Sequence, residues 1–156
     1  MTTTGTMTGK REHIVPLVSS DTAGPLGAIH LPRLWAKLTL AAAGRLPEGY
    51  DECGPGFDQM VLTNFGLDRQ KTMEYVRNNK PTYMQFEQWV VAQNGGSIPQ
   101  DKIRKHNEAV RAYCHGDDLA KNMRTASGIS DSRVSDAVTL NKLEDLDEFH
   151  RQVTAK

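Results

Sequence analysis

An excess of charge of either sign is missing from this chain: 19 basic side chains stand against 19 acidic ones, so no net field would hold it on nucleic acid or an anionic membrane. Cysteine is scarce. Cys53 and Cys114 give no disulfide framework, and no CxxC or HxxxH spacing supplies a metal-ligand pair. Long apolar runs are absent as well. The longest, residues 38–43, includes Thr39 and falls far short of the roughly 20 residues that cross a bilayer. Residues 1–13 carry no apolar core of the kind a secretory signal needs, and their threonines and glycines read as a disordered lead-in over residues 1–12. The expectation is a soluble, cytoplasmic protein, its remaining residues 13–156 forming a single helical domain around one core.

Strand-like alternation is also nearly absent, and what is present is helical periodicity cut by turn residues. Pro32 suits a first turn, and Leu34, Leu38, Ala41 and Ala42 recur at helical spacing until Gly44 stops them. Phe57, Met60, Val61, Leu62 and Phe65 predict a second helix ending at Gly66, and Asp68 caps a third that ends before Pro81. Thr82 and Gln85 form a capping box for a fourth helix, whose apolar stripe is Tyr83, Phe86, Trp89 and Val90. A fifth spans residues 99–114 with Ile103, Val110 and Cys114 on one side. Asp117 caps a sixth carrying Leu119, Ala120 and Met123. Residues 130–139 read as a turn, after which Asn141 caps a helix built on Leu143, Leu146, Phe149 and Val153. The acids on its other face, Glu144, Asp145, Asp147 and Glu148, then fall in the first turns and favour the helix dipole. The fold class is all-α: a single compact bundle of about six or seven short helices with an extended N-terminal arm.

Chemistry is best placed where the first helix runs into the acidic, glycine-rich bend at residues 51–58. Arg33 and Lys37 lie four residues apart on one helical face, and a like-charge pair there costs an isolated helix about 0.2–0.5 kcal/mol. Asp51, Glu52 or Asp58 could offset it, as could an anionic ligand held between the two cations. His30 precedes the helix near the positive end of its dipole, which biases the imidazole toward its neutral form, either as a general base or as a packing residue. Cys53 is flanked by acids, which raise a thiol's pKa and oppose its use as a nucleophile. Cys114 and His115 are adjacent in sequence, which places them on different faces. The glycine-proline turns at residues 24–27 and 54–56 lack the lysine and strand of a phosphate-binding loop.

His30-Leu31-Pro32-Arg33 with Lys37, the Ala42-Ala43-Gly44 helix end, Tyr50, Asp58 within GFDQMVL, Phe65-Gly66-Leu67 and Trp89 together resemble the bacterial family called domain of unknown function 5069. The resemblance covers residues 26–90 and extends to the acidic element at residues 145–148. It implies a fold and a location for the site, and no reaction.

The functional expectation is a small-molecule enzyme performing cofactor-independent acid–base chemistry, a hydrolase or lyase, on a small anionic substrate. In it His30 is general base or acid, Asp58 and Asp51 orient or shuttle the proton, Arg33 and Lys37 hold the anion, and Tyr50 and Trp35 wall the site. No metal is assigned to it. If so, His30→Ala and Arg33→Ala remove turnover and leave the melting temperature nearly unchanged. The alternative is a noncatalytic helical module that binds a protein partner or a second copy of itself. A third reading is metal-assisted chemistry on His30, Asp51 and Asp58.

Overall fold

The computed structural model describes residues 12–155, so the expected lead-in lies outside the described residues except for Glu12. Among the described residues there are seven helices and no strand: α1 Leu31–Ala42, α2 Phe57–Asn64, α3 Arg69–Asn79, α4 Tyr83–Gln93, α5 Gln100–Ala112, α6 Asp117–Ala126 and α7 Ala137–Thr154. None is long and apolar enough to cross a membrane.

Local signals set most boundaries. Asp68 accepts the Lys71 amide at 2.8 Å and starts α3. At α4 the capping box is complete: Thr82 Oγ1 accepts from the Gln85 amide at 3.2 Å, and Gln85 Oε1 accepts from the Thr82 amide at 2.9 Å. Gly44, with φ +70°, turns the chain out of α1 in the left-handed conformation that suits glycine.

The central element is α1, because it is buried on both sides. Leu31, Leu34 and Leu38 pack with Val61, Phe65, Val76, Phe86 and Val90 in the main core, while Arg33 and Lys37 on the opposite side are buried too. A second cluster of Ile29, Phe57, Val110, Ala137 and Val138 ties α2, α5 and the start of α7 together. The non-helical arm before α1 is fastened at its start to the turn after α1 and to α7. The Ile14 amide donates to Arg45 O at 2.8 Å, and the Val15 amide to Gln152 Oε1 of α7 at 3.2 Å.

Three expectations need correction in the C-terminal half. The fifth helix stops at Ala112, so Cys114 is exposed and takes no part in its buried side. Gly116, not Asp117, caps α6, and only Ala120 of that helix is buried, Leu119 being exposed. Finally, α7 begins at Ala137, four residues before Asn141, with Asp136 accepting the Thr139 amide at 2.9 Å. Burying Ala137, Val138 and Leu140 draws the supposed turn into the helix. The acids at residues 144–148 therefore lie beyond the first turn, and Asp145 is buried. The predicted apolar stripe turns outward: Leu146, Phe149 and Val153 are all exposed.

Candidate functional site

His30 is placed by the segment before it. From α5, Asn107 accepts the Ile29 amide at 3.0 Å and donates to Gly27 O at 2.8 Å. His106 of the same helix bonds Ile29 O through Nε2 at 2.9 Å, while its Nδ1 lies 2.9 Å from Asn64 Nδ2. The carbonyl fixes the tautomer: Nε2 carries the proton and Nδ1 accepts from the amide. Held this way, His30 adopts φ +69°, a left-handed conformation uncommon outside glycine, asparagine and aspartate.

The bend after α1 is held from α3. Arg69 donates to Cys53 O, to Gly54 O at 3.3 Å and to Gln59 Oε1 at 2.5 Å, and Arg77 pairs with Glu52 at 2.7 Å. This brings Asp58, in the first turn of α2, beneath α1. Its carboxylate is shared by three donors: His30 Nε2 at 2.7 Å on Oδ1, and Lys37 Nζ at 2.5 Å and the Gly54 amide at 2.7 Å on Oδ2. All three side chains are buried.

Burial works against a charge on Asp58, but the bonds and charges of His30 and Lys37 overcome it and hold the carboxyl well below its ordinary value. Burial also dominates at His30: it lowers the imidazole's pKa although Asp58 pulls the other way. An ionised Asp58 accepts only, so a neutral His30 carries its proton on Nε2 and leaves Nδ1 as a bare lone pair. That Nδ1 is buried and has no partner among the described residues.

Arg33 faces a different carboxylate. Its Nη1 and Nη2 grip Asp145 of α7 at 2.6 and 3.1 Å, and Nη1 also donates to Pro16 O at 3.0 Å and Val18 O at 2.9 Å. The Tyr50 hydroxyl donates to Asp145 Oδ1 at 2.9 Å, and burial followed by the Asp145 charge raises its pKa, keeping it a donor. Arg33 thus locks the arm and α7 onto α1.

A cavity of about 400 Å³ opens beside these groups, and its wall includes His30, Lys37, Tyr50, Asp51 and Asp58 from the predicted set. Arg33 also lines it, with its guanidinium turned to Asp145. Trp35 does not reach it, which corrects the expected wall: the indole packs edge-on to Tyr83 at 5.9 Å and donates to Pro81 O at 3.0 Å. The like-charge pair of α1 is offset by two carboxylates, Asp58 for Lys37 and Asp145 for Arg33, whereas Asp51 and Glu52 serve neither. Cys53 is pushed up to about 11, first by burial and then by Asp58, as its acidic setting suggests. The trio His30, Asp51 and Asp58 forms no metal-ligand cluster among the described residues.

Sequence reasoning missed the far wall, which comes from Tyr113, His115, Leu119, Asn141 and Glu144. Tyr113 stands edge-on to Phe57 at 5.3 Å and to His115 at 5.9 Å, and His115 Nε2 lies 3.1 Å from Asn141 Oδ1. Tyr113 and His115, two residues apart, are the local hint of this wall, since packing of α7 completes it.

Fold and site together define an all-α domain whose central helix carries two buried cations, each neutralised by a remote carboxylate, beside one wall of a molecule-sized hollow. Residues 17–150 match the family described as domain of unknown function (DUF5069), and the chain belongs to that family. No curated protein matches it.

Proposed function

We propose that this protein is a small-molecule enzyme that moves a proton through His30 without a cofactor, in a hydrolase or lyase reaction. The reading stands on His30: a buried imidazole, its Nε2 committed to Asp58 and its Nδ1 unpaired, in the wall of a 400 Å³ cavity. The lowered pKa keeps it unprotonated near neutrality, the state a base requires. Nδ1 would take a proton from the substrate or an attacking water and return it to the leaving group. Asp58 fixes the ring and stabilises the transient imidazolium, and Lys37 keeps Asp58 ionised. The strained backbone at His30 supports the same reading, because sparsely populated conformations concentrate at functional positions. Arg33 takes the structural role and Asp51 stands at the rim. The free thiols Cys53 and Cys114 accord with a reducing compartment such as the cytoplasm.

A thermal-shift screen against small carboxylates, phosphates, aromatic acids and amines tests this, with hits carried into turnover assays. His30→Asn is the informative variant, since asparagine tolerates the left-handed backbone. The expected result is a hit turned over by the wild type and not by His30→Asn. Turnover retained in that variant would refute the assignment. The exposed stripe of Leu146, Phe149 and Val153 favours a second reading, a self-association face, and concentration-dependent sedimentation abolished by Phe149→Lys would support it.

A further inference from the structure

The hydrogen-bonding capacity left over in the cavity is uneven, and the inference drawn from it rests on the enzyme reading above. The cationic side chains of the wall, with Tyr50 and His30 Nε2, are engaged within the protein. Arg33 is bound to Asp145 and two backbone carbonyls, the Tyr50 hydroxyl to Asp145, and His30 Nε2 and Lys37 to Asp58. Acceptors are not. His30 Nδ1 is buried without a partner, and neither Asp51 nor Glu144, both lining the cavity, makes a hydrogen bond or ion pair among the described residues.

Charge follows the same division. With Arg33 balanced by Asp145 and Lys37 by Asp58, the carboxylates of Asp51 and Glu144 leave the wall net negative. Glu144 is held above its ordinary pKa, first by burial and then by the neighbouring Asp145 charge. Its anion therefore sits where a positive group would relieve it. Neither Arg33 nor Lys37 is left unpaired for an anionic ligand. Tyr113, edge-on to Phe57, adds an aromatic surface of the kind that attracts ammonium groups.

We infer that the cavity binds a small organic cation, a protonated alkyl amine, with its ammonium directed to Glu144 and Asp51 and its apolar part against Tyr113 and Leu119. The substrate of the proposed enzyme is then an amine and not an anion. His30 Nδ1, buried and unpaired, stays the group that would accept its proton.

Isothermal titration of the full chain with propylammonium, propan-1-ol and propionate at equal ionic strength tests the assignment. Propylammonium is expected to bind saturably and at least tenfold more tightly than either of the others. Glu144→Gln and Asp51→Asn should each weaken it about fivefold or more without lowering the melting temperature, since neither side chain makes a hydrogen bond or ion pair among the described residues. Affinity unchanged in both variants overturns the inference, as does failure of propylammonium to bind. Propionate binding that is lost in His30→Asn overturns the cation assignment and leaves the enzyme reading intact. Propylammonium binding with the expected loss in Glu144→Gln, but without turnover of any amine, upholds the cation site and counts against the catalytic role.

Discussion

Removing the Arg33 guanidinium would strand a buried carboxylate. Arg33 and Asp145 are 4% and 3% exposed, and their fork-to-fork contact joins α1 to α7 across 112 residues of sequence. In Arg33→Met, Asp145 keeps only the Tyr50 hydroxyl, while the Pro16 and Val18 carbonyls lose their donor. Breaking one side of a buried ion pair costs about 3–5 kcal/mol, mostly the penalty of leaving the other charge unpaired in a poorly polarisable interior. Domains of this size lose roughly 2–4 °C of melting temperature per kcal/mol, so the variant should melt about 6–20 °C lower. The expectation that alanine at Arg33 leaves the melting temperature unchanged is thereby reversed. Urea unfolding followed by circular dichroism would measure the loss. The double variant Arg33→Met/Asp145→Leu should recover at least half of it, because apolar replacement removes both desolvated charges together. A single-variant loss below about 1 kcal/mol, the range of solvent-exposed pairs, would refute the reasoning.

Two further outcomes follow from burial. His30 and His106 are both held below their ordinary 6.5 by burial, so the unfolded chain takes up protons first as pH falls. Their contribution to stability is complete above 6.5 and declines below it, and that of Asp58 declines further as pH drops beneath 3.8 toward its depressed folded value. The melting temperature should thus fall steadily on acidification, and His106→Gln should flatten the upper part of the profile. A melting temperature that rises between about pH 7.5 and 5.5 would contradict this sign. Gly24→Ala should destabilise by about 1–3 kcal/mol, the usual cost of overpacking. The added methyl would lie 2.8 Å from Glu87 Oε1 and closer still to the Tyr83 ring, and a urea midpoint equal to wild type would show that this packing yields freely.

Local chemistry settles what the sequence decides alone. Helix starts and stops are written in short-range pairings such as Asp68 with the Lys71 amide and Thr82 with Gln85, which need nothing beyond one turn of chain. The all-α class, the first five helices and the position of His30, Arg33 and Lys37 around one helix end are therefore legible. Even the need to neutralise Arg33 and Lys37 follows from their spacing. Which carboxylate does so does not: Asp51, Glu52 and Asp58 have equal local claims, and Asp145 has none. Only packing selects, because a charge taken out of water must meet its partner in the same buried place. That place is fixed by α5 holding residues 27–29 and by α7 lying against α1. The start of α7 shows the same dependence, since burying Ala137 and Val138 outweighs the turn character of the residues before them. So does the outward turn of Leu146, Phe149 and Val153, whose periodicity marks an apolar face without saying what, if anything, covers it.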